Sequence, residues 1–172
     1  MSMFFHPPGS VIKSAYTQFT GTNTVSLTAD ADTVFTDLTV NITPTSTSSI
    51  IKLEAHIFGE FADSSSGTAS TWNHTVFFFR DSTKLGQAVA GNRNVGISSL
   101  CITFETDDNS TPEAGSYFFI DSPATTSQIT YKCGINSSNN DTFYLNQVVD
   151  DSADSAYGER GVSTIFVTEI AQ

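Results

Sequence analysis

Hydrophobic and polar residues alternate along most of this chain, and this period of two constrains the fold more than any other feature. In the segment 50–61, for example, Ile51 and Leu53 alternate with Lys52 and Glu54. Successive side chains of a β-strand point to opposite faces, so this pattern is typical of a strand with one buried and one solvated face. No segment carries apolar residues at helical spacing over three turns. The sequence therefore predicts an all-β fold.

The candidate strands alternate in this way or are rich in β-branched and aromatic residues. They are Val11–Phe19, Thr24–Thr28, Thr33–Phe35, Leu38–Ile42, Ile50–Phe61, Trp72–Arg80, Leu85–Val89, Val95–Glu105, Tyr117–Ile120, Ser127–Ile135, Thr142–Val149 and the C-terminal segment that contains Ile165 and Val167. Turn-forming residues separate them. Many short strands joined by turns favour an antiparallel β-sandwich, with the jelly roll as its specific arrangement. We expect one jelly-roll domain over residues 10–172, preceded by an N-terminal arm, residues 1–9.

Composition and charge exclude several kinds of partner. Only 15% of the 172 residues are charged, and Ser and Thr together make up more than a quarter of the chain. Seven Lys and Arg stand against 18 Asp and Glu, so the formal net charge is −11, and the cations are scattered. Nucleic-acid binding needs clustered basic residues, so we expect none. No apolar run approaches the roughly 18–20 residues of a membrane span, and we expect no membrane partner.

Two runs of large apolar residues break the alternation. Val76–Phe79 and Tyr117–Ile120 place bulky groups on both faces of their predicted strands. An exposed aromatic patch of this kind is rare in monomers. We therefore predict that these runs are buried between copies of the chain, and the predicted interface residues are Phe77, Phe78, Phe79, Tyr117, Phe118 and Phe119. In the alternative, loops or the N-terminal segment of the same chain cover the second face.

The N-terminus is unusually apolar. Two Phe residues are followed by His6 and two Pro residues, and Pro restricts the chain to an extended course outside the interior of a sheet. We predict that this segment attaches the protein to a partner through Met3, Phe4, Phe5, His6, Pro7 and Pro8. In the alternative, Phe4 and Phe5 fold back over the chain's own sandwich.

The sequence carries no recognisable catalytic or metal-binding pattern. His6, His56 and His74 lack metal-ligand spacing, and no nucleophile elbow or phosphate-binding glycine loop occurs. We therefore expect no enzymatic activity, no catalytic residues, no metal and no cofactor. The acidic loops 107–109 and 150–154 contain oxygen ligands of the kind that Ca²⁺ prefers, but they lack EF-hand spacing and are interpreted as solvated loops.

Several segments resemble a family of small domains from the virions of marine tailed phages, whose members are tail fibre tips, head fibres or other structural proteins. The similarity extends in order from Ser10 to Gln172, and it is most specific in the run DLTVNITPTSTSS and in DSPATTSQITYK. The other similar segments are IIKLEAHIFGEF, FFFRDSTKLG, Ser116–Ile135 and Ser163–Gln172. The resemblance implies a jelly roll similar to the heads of tumour necrosis factor and C1q, assembled as a homotrimer. It implies no enzymatic residues.

The resemblance leaves three functions open. The first is a capsid decoration (cement) protein, a trimer on the outer head shell whose partner is the major capsid protein. The second is the receptor-binding tip of a tail or head fibre, for which a host surface glycan would be the partner. The third is a carbohydrate-binding module, with Trp72, Tyr144 and Tyr157 as candidate stacking residues, although packing is the simpler interpretation of all three. The predicted sandwich begins close to Met1 with no repetitive stalk before it, which favours decoration of the outer capsid surface after synthesis in a bacterial cytoplasm.

Overall fold

Ten antiparallel β-strands make up the regular structure of this protein in a computed structural model that describes residues 6–62, 73–89, 91–100, 112–151 and 158–172. The strands are β1 (Val11–Phe19), β2 (Asn23–Leu27), β3 (Asp32–Ile42), β4 (Ile50–Phe61), β5 (His74–Arg80), β6 (Thr83–Leu85), β7 (Glu113–Asp121), β8 (Ile129–Ser137), β9 (Asp141–Leu145) and β10 (Ser163–Ile170). These described residues contain no helix. The predicted all-β antiparallel class is confirmed.

The strands form two sheets that pack in a sandwich-like arrangement. The six-stranded sheet has the order β1-β10-β4-β9-β2, and β7 pairs with β4 outside this path. The four-stranded sheet has the order β3-β8-β5-β6. In the six-stranded sheet β4 is the central strand, since it pairs with β10 over Ile50–His56, with β9 over Gly59–Phe61 and with β7 over Ile51–Gly59.

The core lies between the sheets and follows the alternation of the sequence. On β4, Ile51, Leu53 and Ile57 point inward and are fully buried, whereas Lys52 and Glu54 point outward. The opposite sheet contributes large inward-facing side chains, including those of Phe35, Phe78, Tyr131 and Ile135. Burying one such side chain contributes about 1.5–3 kcal/mol, so the paired apolar faces drive the two sheets together.

The largest differences from the predicted strands lie next to β5. The predicted strand Leu85–Val89 is instead the short strand β6, which ends at Leu85 and is joined to β5 by the two residues Asp81 and Ser82. Asp81 has a φ of 54°, the positive value that such a tight hairpin needs. Of the predicted strand Val95–Glu105, residues 95–100 contain only a bridge from Ser98 to Val76, and 101–105 lie outside the described residues.

A partly buried ion pair joins the two sheets at one edge. Asp121, at the end of β7, accepts hydrogen bonds from Arg80 Nη1 of β5 at 2.9 and 3.1 Å and from the Tyr131 hydroxyl of β8 at 2.7 Å. Burial, then the hydrogen bond to the Asp121 carboxylate, raises the pKa of Tyr131. The carboxylate therefore fixes the position of β7, the strand that carries Phe118.

Candidate functional site

The outward side of four adjacent strands carries the most unusual surface of the molecule. Because directly opposed residues of antiparallel strands point to the same face, the registers of β1, β10, β4 and β7 define rows across the sheet. One row is Tyr16, Phe166, Glu54 and Phe118. The row on one side is Gln18, Thr164, His56 and Ser116, and the row on the other side is Ser14, Thr168, Lys52 and Ile120. We call these three rows the aromatic face.

Apolar rings on this face are open to solvent. Tyr16 is 66% exposed and Phe118 is 64% exposed, and Ile120 is also exposed. The Tyr16 ring stacks on the half-buried Phe166 ring, with centroids 6.0 Å apart and planes at 11°. Val11, opposite Ile170, extends the exposed apolar surface beyond the last row. Four of the six large hydrophobic residues that are exposed in the described part of the chain therefore lie on or beside one sheet face.

A shallow groove crosses the aromatic face between Phe118 and Phe166. Its volume is about 510 Å³, and Glu54, His56 and Ser116 line it with the two rings. Polar groups in the groove are paired with neighbours, since His56 Nδ1 lies 3.0 Å from Ser116 Oγ and Glu54 Oε1 lies 2.8 Å from Lys52 Nζ. The groove thus offers apolar contact area with few unpaired polar groups.

The charge of the aromatic face differs from that of the whole protein. The three rows contain one carboxylate, Glu54, and one ammonium group, Lys52, and the two form an ion pair. The chain as a whole has a formal charge of −11. Like charges repel, so two copies of this chain meet least repulsion where their surfaces are neutral. Apolar exposure and neutrality therefore coincide on the same face.

Only part of the predicted interface lies on this face. Phe118 does, and it is exposed, whereas Phe119 is half-buried on the inward side of β7. Phe78 and Tyr117 are buried in the core, with ring centroids 4.8 Å apart. The reason for placing these two rings in an interface does not hold, because the single chain already buries them.

Phe77 and Phe79 lie on the outer side of the other sheet. Phe77 is fully buried within the single chain: Lys84 Nζ lies 3.9 Å from its ring centroid and the Phe79 ring packs edge-on at 5.3 Å. The position opposite, Gly134, leaves space for the ring, since a Cβ there would approach Phe77 to 2.6 Å. Phe79 is half-buried. Phe77 therefore needs no partner for its burial, and the side chains that contact its ring come from β5 and β6 rather than from a loop or the N-terminal segment.

Two residues of the aromatic face, Tyr16 and Phe166, were missing from the predicted interface. Tyr16 is flanked by Ala15 and Thr17, and Phe166 by Ile165 and Val167, so neither ring belongs to a run of adjacent aromatic residues such as Phe77–Phe79. Alternation along the strand is the signal that identifies them. Each ring occupies a position that points outward, where the same strand otherwise carries polar or smaller residues. Their approach across β1 and β10 depends on strand register, which the sequence alone does not supply.

The predicted N-terminal arm is described only in part. Met3, Phe4 and Phe5 lie outside the described residues, while His6, Pro7 and Pro8 are exposed. The backbone after them is tied to the C-terminus, since Gly9 N–H donates to Ala171 O at 2.8 Å and Ala171 N–H donates to Ser10 O at 2.9 Å. An attachment role for the arm stays a prediction.

The histidines and acidic loops occupy different parts of the fold. His74 is buried against the Phe61 ring and accepts a hydrogen bond from Leu100 N–H at 3.2 Å. Asp151 pairs with Arg160, whose hydrogen bond lowers the pKa of the carboxyl group. Residues 107–109 and Asp154 fall outside the described ranges. In the part of the chain that is described, no three His, Cys, Asp or Glu side chains are grouped so that they could hold a metal ion.

The candidate residues for sugar stacking are described only in part. Tyr144, one candidate for sugar stacking, is half-buried on β9, and Trp72 and Tyr157 lie outside the described residues. No helix in the described ranges is long and apolar enough to cross a membrane. Comparison of the sequence with protein families, and with curated proteins, found no match to the chain.

Proposed function

We propose that this chain is a non-enzymatic structural protein of a phage virion, and that it assembles with itself through the aromatic face. The observation that carries the proposal is the aromatic face itself, where exposed rings and side-chain neutrality coincide on a strongly acidic protein. Large exposed apolar side chains that gather on one face of a protein often mark an interaction site. The virion setting follows from the resemblance of the sequence segments to phage structural proteins.

The strand pairing supports a jelly roll as the specific fold. Without β2 and β9, which pair with each other, eight strands remain, and the first pairs with the eighth, the second with the seventh, the third with the sixth and the fourth with the fifth. Such nested antiparallel pairs arise when one long hairpin wraps into two sheets. A double-sheet jelly roll has eight strands and two Greek keys.

A cyclic homotrimer is the assembly that we propose. The two ends of the central row differ, because stacked Tyr16 and Phe166 lie at one end and the isolated Phe118 lies at the other, on β7. In a ring, each copy can place its Phe118 end against the Tyr16 end of its neighbour, and rotation closes the set. The number three comes from the resemblance to phage trimers.

Decoration of the outer capsid is the role that we propose for this trimer, with the major capsid protein as its partner. The second candidate is a receptor-binding fibre tip, which would use the same trimer and a host surface glycan. Two adjoining surface cavities that share Asp30, Asn92, Arg93 and Asn94, on the side of the sandwich opposite the aromatic face, favour this second candidate. Copy number in purified virions separates the two: hundreds of copies are expected for decoration, and a few tens at most for a fibre.

Self-association is tested by light scattering coupled to size exclusion at micromolar concentration. The wild-type chain is expected to elute at three times its 18.5 kDa mass. Phe118→Glu is expected to give a folded monomer, because a charge without a partner is costly in an apolar interface. Val89→Glu makes the same kind of change at an exposed hydrophobic residue away from the aromatic face and should leave the trimer intact.

Two results would contradict the proposal. A wild-type protein that is monomeric at these concentrations would remove the assembly. A trimer that survives Phe118→Glu unchanged would show that copies meet through another surface.

A further inference from the structure

A second surface, on the opposite side of the sandwich, has the features of a ligand site. Two adjoining cavities of about 490 and 540 Å³ share Asp30, Asn92, Arg93 and Asn94. We call them together the polar cleft. They lie between the turn that precedes β3 and the segment 91–95, outside the four-stranded sheet. Both cavities are shallow and open to solvent, and polar side chains make up most of their lining.

The floor of the cleft contains a buried amide with an unused acceptor. Asn136 of β8 is only 7% exposed, and its Nδ2 donates to Asp32 Oδ1 at 2.9 Å. Lys84 Nζ donates to the same oxygen at 2.7 Å. Asn136 Oδ1, in contrast, accepts no hydrogen bond from the residues that the structure describes. Buried polar atoms are nearly always paired, so an acceptor at this position is suited to a donor that enters from the cleft.

The walls of the cleft are held in place by the backbone. Asp30 has a φ of 57°, and its N–H donates to Ser137 O at 2.8 Å, next to Asn136. Across the cleft, Asn94 Nδ2 donates to Asn73 O at 3.2 Å. These bonds tie the backbone of Asp30 and the side chain of Asn94 to the end of the β5–β8 pair.

Charge in the cleft is balanced, which restricts the ligand. The carboxylates of Asp30 and Asp32 face the cations of Lys84 and Arg93, and Lys84 already holds Asp32. A phosphate would meet two carboxylates, and a divalent cation would meet two side-chain cations. A neutral ligand that both donates and accepts hydrogen bonds suits all four groups and the free acceptor of Asn136.

We propose that the polar cleft binds a neutral oligosaccharide. Sugar hydroxyl groups donate and accept hydrogen bonds, and one hydroxyl can donate toward Asn136 while others bond Asp30 and Arg93. Val89, which is 82% exposed, lies at the rim and provides apolar contact for the C–H side of a sugar ring. The cleft lies on the opposite side from the aromatic face, so it stays open in an assembled trimer, and several clefts per particle would add avidity. The proposal does not depend on self-association.

The test follows backbone amide shifts of the ¹⁵N-labelled full chain by NMR. Maltotriose, chitotriose and mannotriose are titrated in turn to roughly 20 mM, because a shallow open cleft is expected to bind with a millimolar Kd. At least one of them is expected to shift the signals of residues 30–32, 91–95 and 136–137. The signals of the aromatic face should not move.

Substitutions then locate the site. Arg93→Ala and Asp30→Asn are each expected to weaken binding by about tenfold or more, since each removes hydrogen bonds to the sugar. Asn tolerates the positive φ at position 30, so the fold is retained. The control is Gln128→Ala, an exposed change near the opposite end of β8, which should leave the Kd unchanged.

Three results would overturn the proposal. The first is the absence of shifts with all three trisaccharides. The second is undiminished binding by both Arg93→Ala and Asp30→Asn. The third is that calcium chloride alone shifts the same amides, which would identify a cation site.

Discussion

Both sheets carry aromatic side chains on their outer faces. On the four-stranded sheet the Phe77 ring is covered by other side chains of the same chain, whereas the rings on the six-stranded sheet are open to solvent. On the four-stranded sheet, Lys84 sits over Phe77, and Phe77 has no exposed surface. On the six-stranded sheet, Tyr16 and Phe118 remain more than half exposed. The comparison separates two uses of an outward ring: Phe77 is part of the monomer's stability, and Phe118 is available to a partner.

The largest effect on stability should come from truncating the covered ring, Phe77, to alanine, and the same change at Phe118 is the comparison. Phe77→Ala is expected to lower the free energy of unfolding by about 3–5 kcal/mol, because it opens a cavity beneath Lys84. Phe118→Ala is expected to change the stability of the monomer by less than about 0.5 kcal/mol, because its ring already meets water. Urea denaturation of both variants, under dilution that keeps the chain monomeric, measures the difference. Similar losses for the two variants would break the comparison.

The next effect concerns the ion pair that holds β7 against the other sheet. Asp121→Ala leaves Arg80 and the Tyr131 hydroxyl without their carboxylate, and about 3 kcal/mol of stability should be lost. Asp151→Ala is the matched control: Asp151 is more exposed than Asp121 and its partner Arg160 lies at the surface, so the loss of stability should be clearly smaller. Thermal unfolding of both variants gives the ranking, and equal shifts in Tm would argue against a special role for Asp121.

A smaller, pH-dependent effect is expected at the edge between β10 and the loop after β3. Burial alone would raise the pKa of Glu169, but the Thr45 hydroxyl and N–H, Ser49 and Lys13 outweigh it, and the pKa is lowered. The native state therefore favours the ionised form. Its contribution to stability is present above the unfolded-state pKa and is lost as the pH falls through the folded-state value.

Glu169→Gln should therefore lower the free energy of unfolding by about 2 kcal/mol at pH 7, because the variant lacks the hydrogen bonds to a charged carboxylate. At acid pH the loss should be smaller, because Glu169 of the wild type is then protonated and lacks them too. Denaturation curves of this variant and the wild type, recorded from pH 7 downward, measure the gap. Asp150→Asn, which changes an exposed carboxylate outside the aromatic face, is the control and should follow the wild type. A gap that stays constant with pH would contradict the assignment.

The smallest effect is the response of self-association to salt. The aromatic face contains one internal ion pair and is otherwise uncharged, whereas the rest of the chain is acidic. Raising the ionic strength from roughly 0.05 to 0.5 M screens the repulsion between copies and should leave the trimer equally stable or slightly more stable. Sedimentation at both ionic strengths measures this. Dissociation in high salt would mean that ion pairs between copies, rather than rings, hold them together.

Local pattern was sufficient for much of the fold. The bounds of β1 and β4 agree with the predicted strands at both ends, because each has long, regular alternation. Alternation also identifies the inward side of β8, since Ile129, Tyr131, Cys133 and Ile135 recur at every second position and all four are buried. The hairpin of β5 and β6 was not found, because Asp81 and Ser82 lie within a polar stretch without the Gly that usually marks such a turn.

Alternation by itself determined that this protein is an antiparallel β-sandwich, because the side-chain period of a strand is a local property of the backbone. The sequence also showed that Phe77 and Phe118 belong to strands with apolar groups on both faces. Only the tertiary structure decided which ring is covered: the β5–β6 register places Lys84 opposite Phe79 and within reach of Phe77. Register likewise brought Tyr16, Phe166 and Phe118 into one row. Contacts between distant segments set both outcomes, and a local pattern does not encode them.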